Sequence, residues 1–148
     1  MVRTIRLRPN GAPKEAVSFP AFDYCDLVKQ RWEDSDLRDQ LSRRFFFVVY
    51  QLDRAGVPVL VNTRFWTMPT EDLETYARDC FERTVTLIKE DKADYLPGSL
   101  DNVACHVRPH GRDSRDIVPT PNGGFAVRKS FWLNQSYLGE QLASGEDS

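Results

Sequence analysis

Hydrophobic and polar positions along the chain divide it into short, alternating elements. Residues 2–8 (VRTIRLR) alternate apolar and polar, the period of a half-buried strand. Asn10 and Gly11 supply turn chemistry, and 15–19 (EAVSF) reads as the returning strand, ended by Pro20. Asp34 or Ser35 caps a helix predicted to run to about Arg44, with Leu37 and Leu41 inward. Residues 45–50 (FFFVVY) form a continuous apolar run, as in a strand buried on both faces. Arg54, Ala55 and Gly56 turn the chain into a second strand, 57–66. Over 71–90 the apolar residues Leu73, Tyr76, Ala77, Cys80, Phe81, Val85 and Ile88 recur at three- and four-residue spacing, which predicts a helix. Thr70 is its expected cap, with Glu71 and Asp72 at its positive end. A loop over 92–100 leads to strands at 102–108 and 124–133, then to a closing helix at 135–142 capped by Asn134. Residues 1–143 are expected to make one domain and 144–148 a disordered tail. The sum is an α/β fold, a mixed, largely antiparallel sheet flanked by helices.

Composition changes this picture little. The chain has 148 residues, 41% of them hydrophobic, enough for one core and ordinary for a globular domain. No stretch reaches the apolar length of a membrane span, and the N-terminus lacks the apolar run of a secretory signal. Cys25, Cys80 and Cys105 are widely spaced, with no CxxC pair. Free thiols and a cytoplasmic setting are expected, and neither a zinc knuckle nor a disulfide frame.

Charge changes it more. Residues 105–130 carry Arg108, Arg112, Arg115, Arg128 and Lys129 against Asp113 and Asp116. Five bases against two acids leave +3 locally, in a chain of formal net charge −2. A basic island in an acidic protein suits an anion, and Arg can grip a phosphate or a guanine edge with two hydrogen bonds. A solvated charged loop is the plainer reading of the same residues. His106 and His110 are the only histidines. They lack a third ligand at metal spacing, and a packed His106 is expected. Gly123 and Gly124 suit a tight turn. Trp32, Trp66 and Trp132 are expected as core or edge anchors rather than base-stacking platforms. No phosphate loop, dinucleotide fingerprint or nucleophile elbow is present.

Four segments in this order resemble the MutH family, the mismatch-repair nicking endonuclease and the GATC-cleaving type II restriction endonucleases related to it. TIRLRPNGAPKE (4–15) resembles the strand–turn–strand that follows the family's catalytic Glu-x-Lys. WEDS (32–35) resembles its Trp-Glu-x-Ser helix start. HVRP (106–109) resembles its DNA-reading strand and loop, and RKSFWLN (128–134) its closing basic-aromatic strand. The resemblance implies a restriction-endonuclease-like fold lacking the N-terminal part of the family domain, with duplex DNA as partner and GATC as the site. It assigns DNA contacts to Arg108, Pro109 and His110, joined by Arg112, Arg115, Arg128 and Lys129 of the basic island. A recognition Lys falls on His110 and a Tyr near the bases on Ala126, so the reading loop departs from the family in detail.

The catalytic positions depart further. The family's metal-holding Glu and its Lys fall on Met1 and Arg3, its Asp falls before the chain begins, and a further Lys falls near Gln40. No catalytic residue, metal ligand or cofactor is therefore expected in this chain, with Mg2+ entering only if the full family site is completed. The chain reads as a non-catalytic DNA-binding version resembling the degenerate regulatory half of the restriction enzymes. Two alternatives stay open: the C-terminal portion of an active endonuclease with its carboxylates upstream, or a protein-interaction module. A protein partner or a second MutH-like domain is expected on the exposed sheet.

Overall fold

A computed structural model describes residues 1–110 and 114–144. The strands are β1 (Val2–Leu7), β2 (Val17–Ala21), β3 (Arg44–Leu52), β4 (Pro58–Thr67), β5 (Cys105–Pro109), β6 (Ile117–Pro119), β7 (Phe125–Val127) and β8 (Lys129–Leu133). They form two three-stranded sheets, ordered β1-β3-β4 and β2-β8-β5, and a two-stranded ribbon of β6 and β7. The predicted mixed, largely antiparallel α/β architecture is thus observed, split into two sheets. Among the described strands only β1 and β3 run parallel.

The expected hairpin of β1 with β2 does not form. The Asn10–Gly11 turn is present, with Gly11 at φ 88° and its N–H donating to the Arg8 carbonyl at 2.8 Å. Past one bridge between Leu7 and Pro13, however, the chain leaves β1. β1 pairs with β3, and β2 pairs with β8 near the other end of the sequence. Strand β3 alternates rather than being buried on both faces. Phe45, Phe47 and Val49 face the core, while Phe46, Val48 and Tyr50 are half-buried.

Helix α1 (Tyr24–Leu27) is capped by the Asp23 side chain. After a 3-10 turn (Trp32–Asp34), Ser35 caps α2 (Asp36–Leu41) by accepting from the Arg38 N–H, which decides between the two predicted caps. α2 stops at Leu41 rather than near Arg44, because Arg44 already belongs to β3. The long predicted helix is one rod over 70–89: α3 (Thr70–Asp72), a π-type turn (Leu73–Ala77) and α4 (Arg78–Lys89). Its cap position holds Pro69 rather than Thr70. Pro suits a helix start because it has no N–H to leave unpaired. Leu73, Ala77, Cys80, Phe81, Val85 and Ile88 are buried as the spacing predicts, whereas Tyr76 is exposed. α5 (Gln135–Ala143) closes the chain, and the predicted tail beyond Ser144 lies outside the described residues.

One core joins the two sheets. Phe19 of β2 meets Phe45 of β3 edge-on, with ring centroids 6.4 Å apart. Trp66 packs against Phe45 at 5.3 Å, Phe47 at 5.6 Å and Tyr137 of α5 at 6.2 Å. Phe81 of α4 bridges Trp32 at 5.7 Å and Phe131 of β8 at 6.5 Å. The inner face of the second sheet is therefore Cys105, Val107, Phe131 and Leu133, all buried. By strand alternation its outer face carries His106, Arg108, Ser130 and Trp132.

Candidate nucleic-acid interface

Among the expected contact residues, Arg108, Pro109 and Lys129 lie at one end of the second sheet, where β5 runs out beside the start of β8. Arg108 stands opposite Ser130 and Pro109 opposite Lys129. From there the chain crosses to the β6–β7 ribbon. A tight turn closes the ribbon, with Gly123 at φ 86° and Thr120 N–H donating to the Gly124 carbonyl at 2.9 Å, as the glycine pair predicts. Arg128 separates the ribbon from β8, and its N–H donates to the Asp116 carbonyl at 2.8 Å.

The basic residues are not equivalent. Arg108 is exposed, and its guanidinium carbon lies 3.9 Å from the centroid of the Trp132 ring. No ion pair or hydrogen bond with another described residue engages that guanidinium. Arg115 is exposed. Arg128 is exposed and paired with Asp116, Nε to Oδ2, at 3.3 Å. Arg112 lies outside the described residues.

Lys129 departs from expectation. It is buried, and its ammonium donates to the Ala93 carbonyl at 2.5 Å. Burial holds its pKa below the usual lysine range, against the pull of Asp94. Strand alternation explains the placement, since Lys129 shares the inner face with Phe131 and Leu133. It serves the fold, and a phosphate cannot reach it there.

The histidines frame Trp132. His106 stacks on it with centroids 6.2 Å apart and planes 15° from parallel, and His110 lies tilted against it at 5.7 Å. His110 Nδ1 is 3.1 Å from the Ser130 hydroxyl. His106 Nδ1 is 2.5 Å from Asn134 Oδ1. The Asn134 amide nitrogen donates to the carbonyls of Ser99, Asn102 and Val103, at 3.3, 2.7 and 3.1 Å. With the amide so fixed, Oδ1 faces the imidazole, and His106 Nδ1 must carry the proton. Beside this group is a cleft of about 290 Å³, lined by residues including Ser99, His106, Arg108 and Gln135. His106 is the packed, hydrogen-bonded residue predicted. Trp132 is not a core anchor like Trp32 and Trp66. It is half-buried on the outer face.

Burial lowers the pKa of His106 below 6.5, and Arg108 adds to the lowering while the Asn134 bond opposes it. The unfolded chain therefore binds this proton at higher pH than the fold does, so stability falls as pH drops through 6.5 toward the lowered value. Thermal melts from pH 7.5 to 5 should show this decline, and His106→Gln should flatten it. Equal slopes for both proteins would remove His106 as its source.

The positions that the family resemblance assigns to a metal site do not suit one. Met1 stands where the family has its metal-holding Glu and cannot ligate a metal as a carboxylate does, and Arg3 and Gln40 stand where it has Lys. Glu15, the acid on the early strands, is engaged by Arg6 in a salt bridge. Among the described residues no group of three or more His, Cys, Asp or Glu could hold a metal ion. All three cysteines are free, with burial raising the Cys80 thiol pKa to about 12. No helix of the described residues is long and apolar enough to cross a membrane.

Comparison with known proteins bears on what such a face serves. The chain is similar to a type II restriction enzyme. It is 28% identical over 158 aligned positions to Sau3AI of Staphylococcus aureus, described as a type II restriction enzyme. The alignment covers 91% of this chain and 32% of that relative, so the chain spans about a third of the relative's length. No family model matches the chain. The α/β fold is consistent with a restriction-endonuclease-like one.

Proposed function

We propose that the chain is a duplex-DNA-binding domain of the restriction-endonuclease kind, MutH-like in detail, that reads DNA without cutting it. The observation that carries the reading is the likeness to a restriction enzyme over 91% of the chain. The unneutralised Arg108 at the mouth of the basic island gives it a chemical footing. Arg108 takes the base-reading role, with a guanine as its natural target and GATC as the candidate site. Arg115, Arg128, His110 and Pro109 line the approach, and Arg112 belongs to the same proposal. Lys129 is withdrawn from it. Met1, Arg3 and Gln40 at the family's catalytic positions favour a non-catalytic domain, with cleavage and its Mg2+ supplied elsewhere. A protein partner or a second domain of the same kind fits the first sheet, where the outer strand β4 exposes Val59, Leu60 and Val61.

Fluorescence anisotropy on GATC and scrambled duplexes tests the reading. Arg108→Ala should cost about 1–3 kcal/mol on the preferred site and little on scrambled DNA. Arg115→Ala should weaken both alike and flatten the log–log salt slope by roughly 0.9. Incubation with Mg2+ should leave the duplex uncut. Absence of salt-dependent binding by the intact chain would end the DNA reading, and specific nicking lost in Glu15→Ala would end the non-catalytic one.

A further inference from the structure

We infer that Trp132 is a positioning residue for Arg108: its indole face holds the guanidinium in place for an incoming base without neutralising its charge. The inference rests on the DNA reading above and extends it to a residue whose side chain makes no hydrogen bond with another described residue.

The electrostatics of the other arginines make the case. Arg6 is engaged by Glu15, Arg38 by Glu74, Arg43 by Asp39, Arg78 by Glu82 and Arg128 by Asp116. Each is fixed by a carboxylate that also cancels its charge. Arg108 is held instead by an aromatic ring, 3.9 Å from guanidinium carbon to centroid, as Arg44 is over Phe65 at 4.2 Å, but only Arg108 lies in the basic island. A ring face attracts the cation through its quadrupole but leaves the full charge and the N–H donors for a ligand. An acid at the same place would compete with that ligand for every donor.

The ring itself is held firmly. His106, its cross-strand partner on β5, stacks on it, and His110 packs against it while contacting Ser130. Among the described residues the buried indole Nε1 has no acceptor. A tryptophan kept where its N–H goes unpaired is placed for its face, since a buried donor without a partner is a cost. A long Arg side chain loses rotamer freedom on binding, and one already stacked has less to lose. The gain should therefore appear as discrimination between sites, since only the preferred site uses the fork in full.

A double-mutant cycle reads this directly. Trp132→Leu should lower affinity for the preferred duplex about ten-fold, equivalent to about 1.4 kcal/mol, with little change on scrambled DNA. Arg108→Ala combined with Trp132→Leu should bind no more weakly than Arg108→Ala alone. Trp132→Tyr, which keeps a ring face, should restore most of the discrimination. In the free protein, NMR should find the Arg108 side-chain protons shifted upfield by the ring, and the shift lost in Trp132→Leu. Thermal melts show that the variant is folded. A folded Trp132→Leu that still discriminates fully would overturn the proposal while leaving the DNA reading intact. Additive losses in the double variant would also overturn it. If the wild-type chain binds no duplex, the DNA reading fails first and the proposal falls with it.

Discussion

Trp66→Ala should destabilise the protein by about 3–5 kcal/mol, the range for deleting a large buried aromatic side chain. Trp66 is 2% exposed and sits where three parts of the core meet. It packs on Phe45 and Phe47 of the neighbouring strand and on Tyr137 of the last helix. Its indole N–H donates to Gln141 Oε1 at 2.9 Å, so the substitution also leaves that amide without its partner. The backbone around it cannot collapse easily, because Trp66 pairs with Phe45 across β3 and β4. At about 2–4 °C per kcal/mol for a domain of this size, the melting temperature should fall by roughly 10 °C. Trp132→Leu, at a half-buried outer position, should lose clearly less. Equal losses would mean that both rings anchor the core alike. A shift of only a degree or two for Trp66→Ala would mean that the two sheets do not depend on a shared aromatic cluster.

That contrast between two tryptophans bears on how much of the molecule could be read in its sequence. Local periodicity carried the elements well. The three- and four-residue spacing from Leu73 to Ile88 marks the buried stripe of α4 because helical burial repeats along one face. Partner choice was not legible. Nothing in residues 2–21 shows that β1 would pair with Phe46–Gln51 and β2 with Leu133 and Trp132. The Asn10–Gly11 turn forms, but a turn fixes direction only if the following strand is in reach and unclaimed. The places of Lys129 and of Trp132 within that core-or-edge reading were hidden for a different reason. A basic residue in a basic island suggests solvent, and a tryptophan suggests the core. Yet the alternation in RKSFWLN puts Lys129 with Phe131 and Leu133 on one face and Trp132 with Ser130 on the other. Reading the period before the residue type would have found both. The contact of Arg108 with Trp132 additionally needed the register of β5 against β8, which no local pattern contains.

Register also gives Asn134 its importance, and Asn134→Ala should cost about 2–3 kcal/mol although the side chain is small. The residue is 2% exposed, so water cannot readily replace its bonds. Its amide nitrogen serves the carbonyls of Ser99, Asn102 and Val103, and its oxygen serves His106. Alanine leaves these groups short of a partner at once, and each buried polar group left unpaired costs about 1–3 kcal/mol. The cost stays below the sum because the loop can relax toward solvent. Asn134→Asp separates the two halves of the network. It preserves an acceptor for His106 but turns a carboxylate oxygen toward the three carbonyls, which offer no proton. At pH 7 it should be no more stable than the alanine variant by chemical denaturation. A nearly wild-type Asn134→Asp would show that the His106 bond alone matters. The same variants should loosen the loop beside the cleft of Ser99, His106 and Arg108, so selective DNA binding should weaken along with stability. Loss of stability with selectivity fully kept would mean that the outer face holds its shape without the loop behind it.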